Sequence, residues 1–318
     1  MKASVIGCGR WGSFIAWYLK EIGHGVTLYG RESSEHMQRF LRERTNGLVS
    51  FDETVTLTTS LDEALAPELV CISIGSQGLS SLMAQIARHG VRGKTFVLCM
   101  KGIEVDTGRR LSEIAEEAVG GENDVAVWLG PGHVQEFLAS IPNCMVIDSR
   151  SEAVKERLID TLSGELIRFY YGADLIGNEI GAAAKNVIGI AAGMLDGKGV
   201  SSLKGALMSR GTREVARLIV AMGGHEISAY GLCHLGDYEA TVFSPYSHNR
   251  RFGELFVRGE AYNELAEGYY TVRALRTLAQ RYGVDMPICR AVYAVLYEGA
   301  DAWAEMGKLF TRSLKREF

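Results

Sequence analysis

The chain has 318 residues, of which 47% are hydrophobic and 23% are charged. This is the composition of a globular protein that is long enough for two domains, each with its own core. Its net charge of −4 argues against bulk electrostatic affinity for nucleic acid or for an anionic membrane. No apolar run reaches the roughly 18 residues of a membrane span. An anionic ligand would therefore have to be held by a few local cations.

The N-terminal residues run directly into a strand pattern, without the apolar region and cleavage site of a signal peptide. The six cysteines are scattered, with no CxxC pair and no histidine at metal-ligand spacing. Several of them lie inside apolar strand runs, where a reduced cysteine behaves as a small hydrophobe. These features predict a cytoplasmic protein in a reducing compartment, without a structural metal.

The first half of the chain alternates short apolar strand patterns with longer helical patterns. The predicted elements are a strand ending at Ile6, a helix over 10–22, a strand over 26–29, a charged helix to about Arg44, a strand over 69–74, a helix over 79–88, and strands over 95–100, 124–129, 144–147 and 168–171. Continuous apolar strands that alternate with helices favour an α/β fold with a doubly wound parallel sheet. We predict a Rossmann-type dinucleotide-binding domain over residues 1–172.

The strand signal stops after about Gly172, and the second half of the chain has a helical pattern. The run from Asp174 to Leu195 is rich in Ala, Gly and Ile and is typical of a buried helix. The remainder predicts helices joined by glycine-rich turns, so we predict an all-helical substrate-binding domain over residues 173–318. The basic stretch Arg312–Arg316 is interpreted as a solvated helix end rather than a nucleic-acid contact.

A glycine-rich turn connects the first predicted strand to the first predicted helix. Its sequence is Gly7-Cys8-Gly9-Arg10-Trp11-Gly12, which is the dinucleotide fingerprint in the context that it requires. Gly7 allows the tight turn, Gly9 lets the backbone approach a pyrophosphate, and Gly12 allows close packing of helix on strand. The helix N-terminus adds N–H groups and a positive dipole end. The alternative is a glycine-rich turn that binds no ligand.

The end of the second predicted strand bears on the choice between NAD and NADP. An acidic residue there binds a ribose 2′-hydroxyl, whereas an arginine suits a 2′-phosphate. The strand ends with Tyr29-Gly30-Arg31, and Arg31 is able to pair with a phosphate, with help from Arg10. We predict NADP as the preferred cofactor, with NAD possible. If Arg31 only stacks on the adenine, the protein accepts both cofactors.

A single lysine, Lys185, lies among small and apolar residues of the predicted helix that starts near Asp174. Burying an unpaired ammonium is costly, so such a lysine is usually paired or functional. Desolvation lowers the pKa of a lysine and lets it exchange a proton near neutral pH. The alternative is a surface lysine on a polar stripe with Asn186 or Glu179.

From Gly7 to about Tyr297, the chain resembles the NAD(P)-dependent glycerol-3-phosphate dehydrogenase family in the order and spacing of its motifs. The motifs that carry the resemblance are Gly7–Gly12, Met100–Glu104, Gly130-Pro131 with Glu136, Lys185–Ile188, Gly231-Leu232 with Leu235–Asp237, Ser247–Gly253 and Glu267–Tyr269. The combination of the lysine-asparagine helix with the glycine-aspartate and serine-x-asparagine-arginine segments is specific to that family.

The resemblance implies reversible reduction of dihydroxyacetone phosphate to sn-glycerol 3-phosphate. Lys185 matches the proton donor and acceptor of the family. Lys101 matches a lysine between cofactor and substrate, where it stabilises a developing oxyanion. Asp237 matches the substrate-binding aspartate, and Asn249 matches an asparagine that contacts the phosphate.

Carried over residue by residue, the resemblance implies three sets of site residues and no metal. The implied catalytic residues are Lys185, Lys101 and Asp237. The implied cofactor-binding residues are Gly7, Gly9, Arg10, Trp11, Gly12, Arg31, Lys101, Val134, His248, Leu265 and Glu267. The implied substrate-binding residues are Lys101, Gly130, Gly132, Lys185, Asp237, Ser247, His248 and Asn249. The resemblance also implies a homodimer that acts on a small phosphorylated substrate.

Three departures from the family pattern fall on the substrate side. His248 stands where the family has a phosphate-binding arginine, and Gly132 stands where it has Ser or Thr. The segment Ser201–Lys204 is one residue shorter than in the family. Either Lys204, Arg250 or Arg251 supplies the missing charge, or the substrate is a related ketone with a different head group. A third possibility is a protein that binds NADP without turnover, although such a protein has no need of a buried lysine.

Overall fold

The computed structural model describes residues 1–311, except for the side chain of Phe310. The basic stretch Arg312–Arg316 lies outside the described residues. The described chain divides into two compact units. Unit 1 comprises residues 1–101 and 109–175, and unit 2 comprises residues 102–108 and the chain from Ile176 onwards. Within residues 1–311, no helix combines the length and apolar character that crossing a bilayer requires.

Unit 1 is built on an eight-stranded sheet. Its strands are β1 (Lys2–Ile6), β2 (Gly25–Tyr29), β3 (Thr56–Thr58), β4 (Leu69–Ile72), β5 (Thr95–Leu98), β6 (Asp124–Leu129), β7 (Asn143–Ser149) and β8 (Ile167–Tyr171). The strand order is β3-β2-β1-β4-β5-β6-β7-β8. The first six strands follow the Rossmann order, and strand order reverses beside β1. In such a sheet ligands bind beyond the carboxyl ends of the strands at the reversal, so the turn after β1 is the expected site.

Helices connect the strands of unit 1. They are α1 (Arg10–Glu21), α2 (Glu35–Glu43), α3 (Leu61–Ala64), α4 (Leu79–Arg88), α5 (Leu111–Val119), α6 (Val134–Leu138) and α7 (Glu152–Leu162). All four residues of β4 and of β5 are buried. This is the pattern of central parallel strands that are covered on both faces.

The predicted α/β class and Rossmann-type sheet are confirmed, with two corrections. β3 and the helices α3, α5, α6 and α7 were not among the predicted elements. β3 was missed because a three-residue edge strand with two threonines carries little apolar signal. The predicted strand from Leu69 therefore becomes the fourth strand, and it ends at Ile72. The sheet is also not wholly parallel: β7 runs antiparallel to β6, and β8 runs parallel to β7. The apolar pattern of a buried strand does not encode its direction.

Unit 2 is helical in its described part. Its helices are α8 (Leu175–Gly197, beginning at the last residue of unit 1), α9 (Lys204–Ala221), α10 (His248–Arg258), α11 (Glu267–Tyr282), α12 (Pro287–Tyr297) and α13 (Ala302–Phe310). Helix α8 forms the centre of the apolar core of this unit, since its side chains from Ile180 to Leu195 are buried. Short 3-10 turns and one π-turn, Glu239–Phe243, fill the segment between α9 and α10.

Glycines allow α8 and α10 to pack closely. A Cβ atom on Gly193 would overlap the backbone carbonyl of Arg250, and a Cβ atom on Gly253 would overlap that of Ile190. A Cβ atom on Gly189 would lie 2.7 Å from Thr241 and 3.3 Å from Asn249. The backbone of α8 is therefore in direct contact with the segment that carries these two polar side chains.

Candidate active site

The predicted site residues are divided between the two units. Unit 1 contains the glycine turn, Arg31, Lys101 and the segment from Gly130 to Val134. Unit 2 contains Lys185, Asp237 and all predicted residues after them.

The turn after β1 has the backbone geometry of a phosphate-binding turn. Gly7 has φ +116°, and a Cβ atom there would overlap the carbonyl oxygen of Ser73, which follows β4. A Cβ atom on Gly12 would overlap the carbonyl oxygen of Gly7. Both positions therefore require glycine, one for its torsion angle and both for close approach of backbone to backbone.

Gly9 differs from its two neighbours because a Cβ atom there would meet nothing within 4 Å. It is the N-cap of α1, no side chain caps this helix end, and the first turn carries no acidic residue. Open space in front of a helix N-terminus fits a pyrophosphate, which N–H groups and the helix dipole stabilise. Trp11 packs on Phe14 and Phe137, with ring centroids 5.1 Å and 6.2 Å apart, and so supports the turn from behind.

The end of β2 places a cation beside this turn. Arg31 is exposed, its carbonyl accepts from the backbone N–H of Ser34, and its charge acts on the thiol of Cys8. Burial raises the pKa of the Cys8 thiol, so it remains protonated at neutral pH. A Cβ atom on Gly30 would lie 2.6 Å from the Cys8 sulfur. The glycine turn and the end of β2 are therefore packed together, with Arg31 at their exposed edge.

Lys101 and Gly130 meet at the carboxyl ends of β5 and β6. The Nζ of Lys101 donates to the carbonyl oxygen of Gly130 at 2.6 Å. This bond fixes the lysine above neighbouring parallel strands. Gly130 itself has φ +128°, and a Cβ atom on it would lie 3.0 Å from the backbone of Met145.

The departure at Gly132 has a structural cause. Gly132 has φ +144°, and a Cβ atom there would overlap the ring of Phe137. That ring is buried and stacks on Phe14, with centroids 4.9 Å apart. Phe137 therefore fills the volume that a serine or threonine side chain needs. Val134, the first residue of α6, is also buried.

Lys185 is buried and paired in the middle of α8. Its side chain is 9% exposed, and that of Asp237 is 1% exposed. The Nζ lies 2.8 Å from Oδ2 of Asp237 and donates to the hydroxyl of Thr241 at 2.7 Å. The structure thus places Lys185 in the core with a carboxylate, not on a polar surface stripe with Glu179. An ammonium held in this way has a defined direction in which to exchange a proton.

Thr241 was not predicted from the sequence. It follows Asp237 by four residues on consecutive turns, a 3-10 turn over Leu235–Asp237 and the π-turn over Glu239–Phe243. π-turns occur frequently at functional sites. The spacing of a hydroxyl four residues after a candidate aspartate was the available signal, because one helical turn places such residues on the same face.

Asn249 connects three helices beside Lys185. Its amide donates to Oδ1 of Asn186 in α8 at 3.0 Å, and its Oδ1 accepts from the backbone N–H of Gly268 in α11 at 2.8 Å. Ser247 is the N-cap of α10 and accepts from the backbone N–H of Arg250. The predicted serine and asparagine therefore lie at the N-terminal end of α10, and they also order it.

His248 is the first residue of α10, and it faces the segment that leads to α11. Its Nδ1 lies 2.6 Å from the hydroxyl of Tyr262 and 3.2 Å from a carboxylate oxygen of Glu264. An imidazole beside a carboxylate is able to hold a positive charge, although unlike a guanidinium it loses the charge on deprotonation. Leu265 is 54% exposed on the same segment, and Glu267 begins α11.

All three cations considered as substitutes for an arginine have protein partners. Lys204 and Arg250 each lie 2.7 Å from the same carboxylate oxygen of Asp196. Desolvation raises the pKa of Asp196, but the hydrogen bonds from these two cations lower it by more. The pKa of Asp196 is therefore below its usual value. Arg251 is half exposed and lies 3.4 Å from Glu254. The Asp196 cluster thus ties together α8, α9 and α10.

A Rossmann sheet with a glycine-rich turn of phosphate-binding geometry, in a chain that also buries a lysine–aspartate–threonine group, is typical of a nicotinamide-dependent dehydrogenase. Two family models match the chain: the NAD-dependent glycerol-3-phosphate dehydrogenase N-terminus over residues 2–155 and the C-terminus of the same family over residues 174–306. The chain belongs to the NAD-dependent glycerol-3-phosphate dehydrogenase family. The resemblance predicted from the motifs is confirmed.

Individual members of the family are similar to this chain over nearly their whole length. The chain is 36% identical to a glycerol-3-phosphate dehydrogenase [NAD(P)+] of Chlorobium limicola, with 100% of this chain and 99% of the relative covered. It is 37% identical to one from a Thermotoga species, with the same coverage. Among solved structures, glycerol-3-phosphate dehydrogenase of Coxiella burnetii matches with a TM-score of 0.90 at 28% identity, over 98% of this chain and 99% of that one.

Proposed function

We propose that the chain catalyses the reversible NAD(P)H-dependent reduction of dihydroxyacetone phosphate to sn-glycerol 3-phosphate. The observation that carries the proposal is the buried ammonium of Lys185, held at 2.8 Å from Asp237 and at 2.7 Å from Thr241. Membership of the family and full-length similarity to enzymes named for glycerol 3-phosphate, the product of this reduction, support it.

Lys185 is proposed as the general acid. When bound, the cofactor supplies a hydride to the carbonyl carbon of the substrate. As the carbon–oxygen π bond breaks, the Lys185 ammonium gives a proton to the oxygen, and the product is an alcohol. The Asp237 carboxylate keeps the ammonium charged and oriented, and the Thr241 hydroxyl restricts its direction. In the reverse reaction the neutral amine accepts the proton.

Lys101 is proposed to stabilise negative charge on the substrate oxygen before the proton arrives. Its bond to Gly130 holds the Nζ in place before reaction, which is the condition for efficient electrostatic stabilisation. Gly130 and Gly132 line the substrate with backbone rather than side chains, so this wall contributes no hydroxyl of its own.

The substrate phosphate is assigned to the N-terminal end of α10, with Ser247, His248 and Asn249. A helix N-terminus favours an anion, and the amide of Asn249 is fixed by Asn186 and Gly268. His248, charged when protonated beside Glu264, replaces the family's arginine in this role.

The cofactor assignment follows the glycine turn. Gly7, Gly9 and Gly12 hold the pyrophosphate with Arg10 and Trp11 beside it. Arg31 is proposed to bind a 2′-phosphate, which makes NADP the preferred cofactor and leaves NAD usable. The nicotinamide end is assigned to Lys101, Val134, His248, Leu265 and Glu267.

The test is NADPH oxidation by the purified chain with dihydroxyacetone phosphate, beside a panel of non-phosphorylated 2-ketones. Turnover of dihydroxyacetone phosphate, with product identified as sn-glycerol 3-phosphate, is expected. Turnover of only the non-phosphorylated ketones would show that the head group differs. Tight NADPH binding without turnover of any ketone would show a binding protein.

We further propose a homodimer in a reducing cytoplasmic compartment. Six free thiols, five of them buried, fit that compartment. Large exposed apolar side chains of unit 2, among them Ile227 and Trp303, are candidates for the subunit contact. Light scattering of the purified chain tests the dimer, and a monomer at micromolar concentration would contradict it.

A further inference from the structure

His234 is a buried histidine with no role in the reaction described above. It lies three residues before Asp237, in the segment between α9 and α10, and its relative exposure is 0%. Its Nδ1 lies 2.8 Å from the carbonyl oxygen of Gly181 in α8. Its Nε2 lies 2.8 Å from the hydroxyl of Tyr238, whose ring meets the imidazole edge-on.

These contacts define the tautomer of His234. A carbonyl oxygen only accepts, so Nδ1 carries the proton and donates to Gly181. Nε2 is then the acceptor, and the Tyr238 hydroxyl donates to it. Desolvation lowers the pKa of His234 to about 4, and the nearby charge of Lys185 lowers it too, whereas the Gly181 bond and the charge of Asp237 oppose the shift. The ring is therefore neutral at physiological pH.

The side chain of His234 contacts the helical turn that ends at Lys185, and its backbone contacts the turn that carries Asp237. In α8 the carbonyl of Gly181 also accepts the backbone N–H of Lys185, because α-helical bonds join residues four apart. The backbone carbonyl of His234 accepts the N–H of Asp237 at 3.0 Å. A Cβ atom on Gly181 would lie 2.9 Å from the Cβ of His234. One residue thus ties the helical turn that carries Lys185 to the turn that carries Asp237.

We propose that His234 is a positioning residue that sets the distance and direction between the Lys185 ammonium and the Asp237 carboxylate. The proposal rests on the proposed function, because it assigns His234 to the same proton transfer. Neutrality is part of the role, since a cationic ring at this place would compete with Lys185 for the Asp237 carboxylate. Tyr238 completes it by holding the ring in the tautomer that donates to Gly181.

Substitutions at His234 and Tyr238 separate positioning from packing. His234→Leu keeps the volume and removes both bonds. His234→Asn keeps an N–H donor near the place of Nδ1 and is the conservative variant. Tyr238→Phe removes only the hydroxyl. Tyr18→Phe is the matched control, because Tyr18 is also a buried tyrosine and donates to the Leu162 carbonyl at 2.7 Å within unit 1.

The first readout is steady-state kinetics of the full chain with NADPH and dihydroxyacetone phosphate across pH. In His234→Leu we expect kcat to fall about ten- to a hundred-fold, because displacing a reacting group by about 1 Å costs on that scale. NADPH affinity is expected to stay within about two-fold. The alkaline fall in kcat should move to lower pH by about one pH unit, since a loosened carboxylate stabilises the ammonium less. His234→Asn should recover most of kcat, and Tyr18→Phe should match the wild type.

The second readout does not depend on turnover. Lys185 is labelled competitively with acetic anhydride at a series of pH values, and the extent of labelling is read by peptide mass spectrometry. The midpoint is expected at lower pH in His234→Leu and, by less, in Tyr238→Phe. A wild type that does not reduce dihydroxyacetone phosphate but shows this labelling shift would overturn the proposed function and leave the positioning role standing.

Unchanged kcat and unchanged Lys185 labelling in His234→Leu would overturn the positioning role. If that variant does not fold, Tyr238→Phe decides: the same pH profile and labelling midpoint as Tyr18→Phe would also overturn it.

Discussion

The described part of unit 2 contains two buried lysines that are each paired with an aspartate, and the two pairs differ in what surrounds them. Lys185 lies in the middle of α8 and also donates to the hydroxyl of Thr241. Lys204 lies at the first position of α9, donates to the carbonyl of Val242 at 3.1 Å and shares Asp196 with Arg250. The pair distances, 2.8 Å and 2.7 Å, are nearly the same. Burial and a short ion pair are therefore common to both lysines, and the two sites differ in their other polar neighbours, a hydroxyl beside Lys185 and a carbonyl with an arginine beside Lys204.

The largest effect is expected at Lys185. Lys185→Ala should lower kcat by at least about a hundred-fold, the usual scale for loss of a general acid. NADPH affinity should be almost unchanged, because the glycine turn lies in unit 1. Steady-state kinetics and NADPH fluorescence titration measure both quantities. Wild-type turnover in this variant would remove the catalytic distinction between the two pairs.

A third buried acid sharpens the comparison because its partners are backbone groups rather than a lysine. Glu214 accepts from the N–H groups of Ile288 and Cys289, both at 2.8 Å, at the start of α12. Desolvation raises the pKa of its carboxyl to about 7, although the two backbone bonds oppose the shift. A carboxyl with a raised pKa binds more protons in the folded state than in the unfolded state. The free energy of unfolding should therefore fall as pH rises from about 4.5 to about 7.

The predicted size of this pH effect is about 3 kcal/mol. Glu214→Gln, which cannot ionise, should lack this contribution, while turnover should persist. Urea unfolding of both proteins at about pH 5 and about pH 8 measures the difference. The same pH dependence in both proteins would show that Glu214 does not titrate on folding.

Arg31 extends the comparison to a cation whose proposed partner is a ligand. Arg31→Glu should weaken NADPH binding by about ten- to a hundred-fold, the worth of a charge-assisted hydrogen bond. NADH binding should change much less, because NADH has no 2′-phosphate. Parallel titrations with the two cofactors measure the ratio, and an equal loss for both would contradict the 2′-phosphate assignment.

The smallest effect on activity is expected at Lys204. Lys204→Ala should lower the free energy of unfolding by about 1–2 kcal/mol, since a buried charged hydrogen bond is lost while Arg250 still neutralises Asp196. kcat and KM should stay within about two-fold of the wild type. Denaturant unfolding and kinetics test the two parts separately. A large rise in KM for dihydroxyacetone phosphate would instead assign Lys204 to the substrate phosphate.

The parts of the molecule that depend on local sequence were predictable. The glycine turn is made by backbone torsion and close approach, and each of its three glycines is specified by its place between strand and helix. The lysine of α8 stood out because its neighbours are apolar. The short strand β3 was missed because three residues carry little periodicity. β7 was predicted as a strand, but its antiparallel direction was missed because the apolar pattern of a strand does not depend on its direction.

The parts that depend on distant segments were not predictable from local pattern. Thr241 and His234 acquire their partners only when the segment after α9 packs on α8. The sharing of Asp196 by Lys204 and Arg250 likewise joins three helices. In each case the sequence shows the residue, but the fold determines which polar group satisfies it.

The overlap between a side chain at position 132 and the Phe137 ring limits which residues the segment from Gly130 to Val134 accepts. A serine introduced at Gly132 meets an aromatic ring that is itself stacked in the core, so that single step carries a steric penalty. A smaller residue at 137 relieves this overlap, although the φ of +144° at Gly132 still strains any other residue. The two positions are therefore coupled, and Gly132→Ser should destabilise the chain less when it is combined with a smaller side chain at 137.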